Sequence, residues 1–225
     1  MAEQASLTLV LEVRHPRLSF RHTDVRAGSP IRDTLGTVVR SSIAPRRPHP
    51  SAAIFDVDGT LCDVRPVRKY VVPDETNHHF KKDFARFHQE SLGCRPHTPV
   101  REFAQKLHSE GIHILIVSGR GERWTELTKQ WLQKWDIEYE EIYLRPDKDF
   151  RADVQVKTDI GEKILSAYSP VVAIDDGDDI IGVWRSLAIP TVQVREDGTL
   201  DTQELGAPIG MHASVMNAIK QGSVS

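Results

Sequence analysis

Ile54-Phe55-Asp56-Val57-Asp58-Gly59-Thr60-Leu61 constrains this chain more than any other stretch. The apolar run Ser51 to Phe55 reads as a short buried strand, and Gly59-Thr60 breaks it into a turn. Asp56 and Asp58 therefore fall where strand passes into loop. In an α/β sheet that is the carboxyl edge, where ligands bind. Side chains two apart on a strand share a face, which directs both carboxylates toward one cavity. Like charges that close repel unless a divalent cation or an ammonium offsets them. An aspartate-rich turn would read the same way, so the remaining strand exits have to decide.

Those exits carry matching chemistry. Pro99 to Gly111 reads as a helix with Val100, Phe103, Ala104 and Leu107 inward. Ile112 to Val117 is a near-continuous apolar run, the mark of a parallel strand covered on both faces. It delivers Ser118-Gly119-Arg120-Gly121 to a loop before a helix from Glu122 to Trp135, whose N-terminal amides suit an anion. Ser118 taken alone is equally an ordinary turn residue. Tyr139 to Leu144 is the next strand, followed by Arg145, Arg151, Asp153 and Lys157, the last at the start of a helix running to Tyr168. A lysine in a first turn opposes the helix dipole, a weak hint that it has a negative partner. Val171 to Ile174 ends in Asp175-Asp176-Gly177-Asp178-Asp179. The first two acids suit a hard cation such as Mg²⁺, and the second two the N-terminus of the helix that follows. Ile189 to Val194 is a last strand, and residues 209–221 are expected to form a helix. Strands alternating with helices predict an α/β fold, a doubly wound parallel sheet.

Residues 62–98 interrupt that alternation as a small, cap-like insertion. Asn77 to Leu92 reads as an amphipathic helix with Phe80, Phe84 and Phe87 as a core-facing stripe rather than a base-stacking platform. Arg65 and Arg68 precede it, close enough in sequence to the aspartates for one of them to meet a substrate phosphate.

Hydrophobic content of 39% and charged content of 27% are ordinary for a soluble protein, and no apolar run approaches the ~18 residues that cross a bilayer. Cys62 and Cys94 give no metal-binding spacing and fit a reducing compartment. The formal charge of −3 conceals an asymmetry: residues 1–50 hold eight arginines and four acids, the rest 21 basic against 28 acidic residues. An acidic catalytic part argues against a long, sequence-independent nucleic-acid groove. Residues 1–50 lack a sustained apolar period and read as disordered. A basic arm, an Arg-rich targeting peptide and an upstream extension all remain open as their origin. Leu7 to Val13 lacks the flanks of a signal peptide, so residues 51–225 are expected to act as a single cytoplasmic domain.

Asp56-x-Asp58-Gly-Thr, Ser118, Lys157 and Asp175-Asp176, in that order, resemble the four motifs of the haloacid dehalogenase-like hydrolases across residues 51–195. Val117-Ser118-Gly119-Arg120, Leu144-Arg145-Pro146, Asp153 four residues before Lys157, and Ala173-Ile174-Asp175-Asp176 are similar to the 3′-phosphatase domain of phage polynucleotide kinase-phosphatase.

The resemblance implies Asp56 as a nucleophile forming an aspartyl-phosphate and Asp58 as the acid and base. It implies Mg²⁺ on Asp56, the Asp58 carbonyl and Asp175 or Asp176, with Ser118 and Lys157 holding phosphoryl oxygens. It further implies that Arg120, Arg145 and one of Arg65 or Arg68, with Gly119, contact the substrate, and that Asp153 orients an arginine or Lys157. An aspartate at position 58 points to phosphatase rather than dehalogenase chemistry. The expected substrate is a phosphomonoester at a DNA or RNA 3′ end; a small metabolite or mononucleotide, and a non-catalytic binding role, are the alternatives. No GxxxxGK[ST] loop occurs, so a 5′-kinase activity is not expected of these residues.

Overall fold

The computed structural model describes residues 49–73 and 79–201, all of which belong to the unit Arg46–Ser225. The expected disorder of residues 1–50 and the expected C-terminal helix at 209–221 therefore lie outside the described residues, His49 and Pro50 excepted.

Six strands form one sheet. β1 (Ser51–Phe55), β2 (His113–Gly121), β3 (Glu141–Arg145), β4 (Ser169–Asp175) and β5 (Thr191–Val194) pair in parallel, and β6 (Leu200–Asp201) closes the β5 edge antiparallel. The order is β3-β2-β1-β4-β5-β6, so β1 lies between β2 and β4 and the chain reverses its direction of travel there. In an open parallel sheet such a reversal opens a crevice at the carboxyl ends of the strands.

The period-2 geometry of β1 divides the core. Ala52 and Ile54 face one layer, with Leu115 and Val117 from β2. Ala53 and Phe55 face the other, with Ile114 and Ile116. The first layer is filled by α4 (Asp153–Leu165) through Val156, Ile160 and Ile164, and by α5 (Asp178–Ser186) through Ile180, Val183 and Trp184. The second takes α2 (Thr98–Ser109) through the four residues its apolar spacing singled out, and α3 (Thr125–Lys134) through Trp131 and Leu132. Every strand residue of β1 after Ser51 is buried, as expected of a strand covered on both faces.

Several expectations are corrected. The insertion helix α1 covers only Phe84–Ser91, begun by Asp83, whose carboxylate accepts from the Arg86 N–H at 2.9 Å. Residues 79–83 are not helical, and residues 74–78 lie outside the described set. Of the phenylalanine stripe only Phe87 is buried, and Phe84 is half-exposed. Residues 118–121 continue β2 rather than forming a loop, and a 3₁₀ turn at Glu122–Trp124 delays α3. β6 gave no sequence signal, because it is two residues held by a turn whose Gly198 has φ +86°. No helix among the described residues is long and apolar enough to cross a membrane.

Candidate active site

Asp56 follows β1 directly, its N–H donating to Ile174 O of β4 at 3.0 Å, which fixes the carboxylate at the junction of the two central strands. Asp175 ends β4, and Lys157 rises from the second turn of α4 between them. The lysine Nζ donates to Asp56 Oδ1 and to Asp175 Oδ2, each at 2.8 Å. All three side chains are buried. Asp175 is further held by the Gly177 N–H at 3.1 Å and the Trp184 indole at 3.4 Å. Asp176 accepts from the Thr60 hydroxyl at 3.1 Å.

Asp56, Asp175 and Asp176 offer carboxylate oxygens within 4.8 Å of one another. Against three carboxylates this group has one ammonium, and the imbalance registers in proton affinity. Burial, with Asp175 and Asp176 nearby, pushes the Asp56 carboxyl well above its ordinary range despite Lys157. Burial and Asp175 push Asp176 up to about 6. Hard oxygen donors with excess negative charge at a strand edge fit a small divalent cation. Burial pushes Lys157 down, but Asp56 and Asp175 outweigh it and keep the lysine charged.

The turn that returns from Asp58 is tight: Gly59 N–H donates to Cys62 O at 2.9 Å, and Cys62 N–H to Val57 O at 2.7 Å. Gly59 sits at φ +93°, and a β-carbon there would overlap the Asp176 carboxylate. Gly59→Ala combines left-handed strain with displacement of Asp176, so activity is expected to fall at least tenfold and stability by about 1–3 kcal/mol. Kinetics and a denaturant melt of the same preparation check both.

Asp58 is held by Arg120. Nε donates to Asp58 Oδ2 at 2.8 Å and a terminal nitrogen to Oδ1 at 2.5 Å, a bidentate pair. Burial alone would raise the Asp58 carboxyl, but the guanidinium holds it below its ordinary value. Arg120 also donates to Ser91 Oγ of α1 at 3.1 Å and to Thr128 Oγ1 of α3 at 3.2 Å, and its side chain is fully buried. An irregularity in β2 puts it there. Ser118 pairs with Leu144, yet Arg145 pairs with Gly121, so Gly119 and Arg120 bulge from the ladder. A bulge re-aims the side chain it carries.

These groups line a cavity of about 850 Å³, in which Asp56, Asp58, Ser118, Lys157, Asp175 and Asp176 converge from β1, β2, β4 and α4. These six residues, singled out in the sequence, thus lie together around one space. Gly119 and Arg145 also line the cavity. Arg145 is occupied by the carbonyls of Gly119, Asp149 and Arg151 and by Asp153 at 2.8 Å. Asp153, expected to orient an arginine or Lys157, pairs with Arg145.

Arg120, expected to meet substrate, also lines the cavity, with its buried guanidinium turned to Asp58, Ser91 and Thr128. Arg65 and Arg68 lie apart from the cavity. Both are exposed and absent from the cavity lining, Arg65 paired with Asp63 at 2.7 Å and Arg68 with Glu196 at 2.5 Å.

His88 and Trp124 of the cavity wall were missed. Their only sequence signal was position: His88 follows Phe84 by one helical turn, and the two rings stack at 6.3 Å. His88 Nδ1 lies 4.0 Å from Asp58 Oδ2 without a hydrogen-bond partner. Burial pushes this imidazole down to about 4. An unfolded histidine titrates near ~6.5, so between there and pH 4 the unfolded chain takes up a proton that the folded state excludes. Its contribution to stability is present above that window and lost as pH falls through it. The stability difference between wild type and His88→Gln is accordingly expected to change by up to about 3 kcal/mol across it, measured by urea melts at stepped pH.

Residues 50–198 match the family model described as the polynucleotide kinase PNKP phosphatase domain. The chain belongs to this family. It is a haloacid dehalogenase-type phosphatase, a hydrolase whose motifs and six-stranded α/β sheet agree with that assignment. A curated relative in Autographa californica nuclear polyhedrosis virus, named provisionally as a bifunctional polynucleotide kinase/RNA ligase, is 27% identical over 145 residues, covering 64% of this chain and 19% of that protein.

A solved chain from a Pnkp1/Rnl/Hen1 complex shares the fold at TM-score 0.52 and 24% identity, covering 65% of this chain and 46% of that one. A haloacid dehalogenase hydrolase of family IA, variant 3, from Entamoeba histolytica shares it at TM-score 0.52 and 14% identity, covering 76% and 99%. The PNKP phosphatase unit seen here thus spans about a fifth of the viral relative and under half of the solved chain.

Proposed function

We propose that this chain is a Mg²⁺-dependent phosphomonoesterase that removes the 3′-phosphate from nucleic-acid ends through an aspartyl-phosphate on Asp56. The observation that carries this reading is the pairing at the cavity floor: one carboxylate held by Lys157, a second two residues on held by Arg120, both opening on the same space. A family model named for the phosphatase domain of polynucleotide kinase, and a relative named for polynucleotide kinase and RNA ligase, support a polynucleotide as the substrate class.

Each residue has a role that charge and position suit. Asp56 attacks phosphorus, forming an Asp56 O–P bond as the P–O3′ bond breaks. Asp58 gives a proton to the departing 3′-oxygen; a phosphate dianion beside it raises its proton affinity above the resting value that Arg120 enforces. Asp58 then takes a proton from the water that attacks phosphorus, releasing inorganic phosphate and restoring Asp56. Lys157 and the Ser118 hydroxyl hold the transferring oxygens, work that is chiefly positioning and electrostatics. Mg²⁺, held by Asp56, Asp175 or Asp176 and the Asp58 carbonyl, would offset the charge of phosphate meeting carboxylate.

Phosphate release separates the possibilities. A 3′-phosphorylated oligonucleotide with Mg²⁺ is expected to be the best substrate among that oligonucleotide, its 5′-phosphorylated counterpart, a 3′-mononucleotide and an aryl phosphate, with activity lost on chelation. Equal turnover of all four, or turnover in excess chelator, contradicts the proposal.

A further inference from the structure

The mouth of the cavity has a composition that the chemistry at its floor does not need. Among the described residues the large apolar side chains left exposed include two phenylalanines, Phe84 at 50% and Phe150 at 93%, and both line this cavity. Phe150 adds almost nothing to the core, and leaving a large apolar ring in water forgoes burial that would otherwise stabilise the fold. Phe84 comes from α1 of the insertion, and Phe150 from the loop between β3 and α4.

Two cations share the same rim. The Arg123 guanidinium lies 5.8 Å from the Trp124 ring centre, and among the described residues neither it nor Lys148 forms a salt bridge with a carboxylate. The rim carboxylates Asp149 and Asp153 are already paired, with Arg151 at 2.7 Å and Arg145 at 2.8 Å, and Asp147 accepts from the Arg123 backbone N–H. Two buried polar atoms without a protein partner, His88 Nδ1 and Trp124 Nε1, belong to residues of this wall.

We infer that this rim is a binding surface for the nucleotides on the 5′ side of the reacting one: bases stack on Phe84 and Phe150, and phosphodiesters meet Arg123 and Lys148. Flat apolar faces and singly charged anions alternating along one ligand describe a single-stranded polynucleotide end, whereas a small phosphorylated metabolite has no part that extends this far. Aromatic stacking accepts any base, and two cations give few phosphate contacts, which reconciles a polymer substrate with an acidic domain.

The inference rests on the proposed 3′-phosphatase reading, and one experiment separates the two. For 3′-phosphorylated substrates of one to six nucleotides, the ratio of kcat/KM for the hexamer to that for the mononucleotide is measured within each protein, so that loss of folded enzyme cancels. Wild type is expected to give a ratio of at least about fivefold per stacked base. Phe84→Ala with Phe150→Ala is expected to bring it close to one. Arg123→Gln with Lys148→Gln is expected to reduce the slope of log kcat/KM against log salt by about one to two. A flat length profile in wild type, or a ratio retained in the double phenylalanine variant, overturns the inference while leaving the phosphatase reading intact. Turnover of an aryl phosphate with none of any 3′-phosphorylated nucleotide overturns both.

Discussion

Asp56→Asn is expected to abolish phosphate release, by about 10⁴-fold or more, while leaving the protein folded. The amide removes the nucleophilic oxygen, and no other carboxylate can replace it: Asp175 is bound by Lys157, the Gly177 N–H and the Trp184 indole, and Asp58 is clamped by Arg120. The fold should tolerate the change because burial already disfavours ionised Asp56, and an amide oxygen still accepts from Lys157. A melting temperature equal to or above wild type, with activity at background on oligonucleotide and aryl phosphate alike, is the expected pair of results. Loss of activity accompanied by unfolding would make the substitution uninformative about catalysis, so both are measured on one preparation.

The second large effect is expected at Arg120. Its guanidinium ties the aspartate loop through Asp58 to α1 through Ser91 and to α3 through Thr128, from a fully buried position. Removing it leaves the Asp58 carboxylate without its partner, and breaking a buried pair from one side costs about 3–5 kcal/mol. Arg120→Leu should therefore lower stability by that amount and activity by about 10²-fold or more, since Asp58 loses both its orientation and the partner that sets its proton affinity. Arg120→Lys should rescue neither, because a single ammonium cannot span both carboxylate oxygens and the two hydroxyls. The informative readout is the acid limb of the kcat profile. If Arg120 tunes Asp58, that limb moves to higher pH in the lysine variant, whereas a purely structural role would lower kcat without moving it.

What was legible beforehand follows from which features the chain encodes locally. Parallel strands covered on both faces read as apolar runs, and the residue at the end of such a run falls at the carboxyl edge of the sheet. Asp56, Ser118 and Asp175 could be placed together for that reason, whereas Lys157 joined them through the resemblance to the motif order of the haloacid dehalogenase-like hydrolases. Side-chain direction was not encoded in the same way. Arg120 reads as a loop cation, and only the bulge at Gly119 and Arg120 turns it inward. Arg65 and Arg68 lie near the aspartates in sequence but are drawn off by Asp63 and Glu196, the latter far along the chain. The phenylalanine periodicity held only in part: α1 begins at Phe84, so Phe80 falls outside it, and Phe84 in its first turn stays half-exposed at the cavity mouth while Phe87 is buried.

The central claim is that Asp56 bonds covalently to phosphorus during turnover. Acid quenching of wild type mixed with a 3′-phosphorylated oligonucleotide and Mg²⁺, followed by borohydride reduction, converts an aspartyl-phosphate to homoserine that peptide mass spectrometry can locate. Homoserine at position 56, dependent on substrate and on Mg²⁺, is the predicted result. Continued phosphate release with no homoserine at position 56, together with turnover by Asp56→Asn, would contradict it.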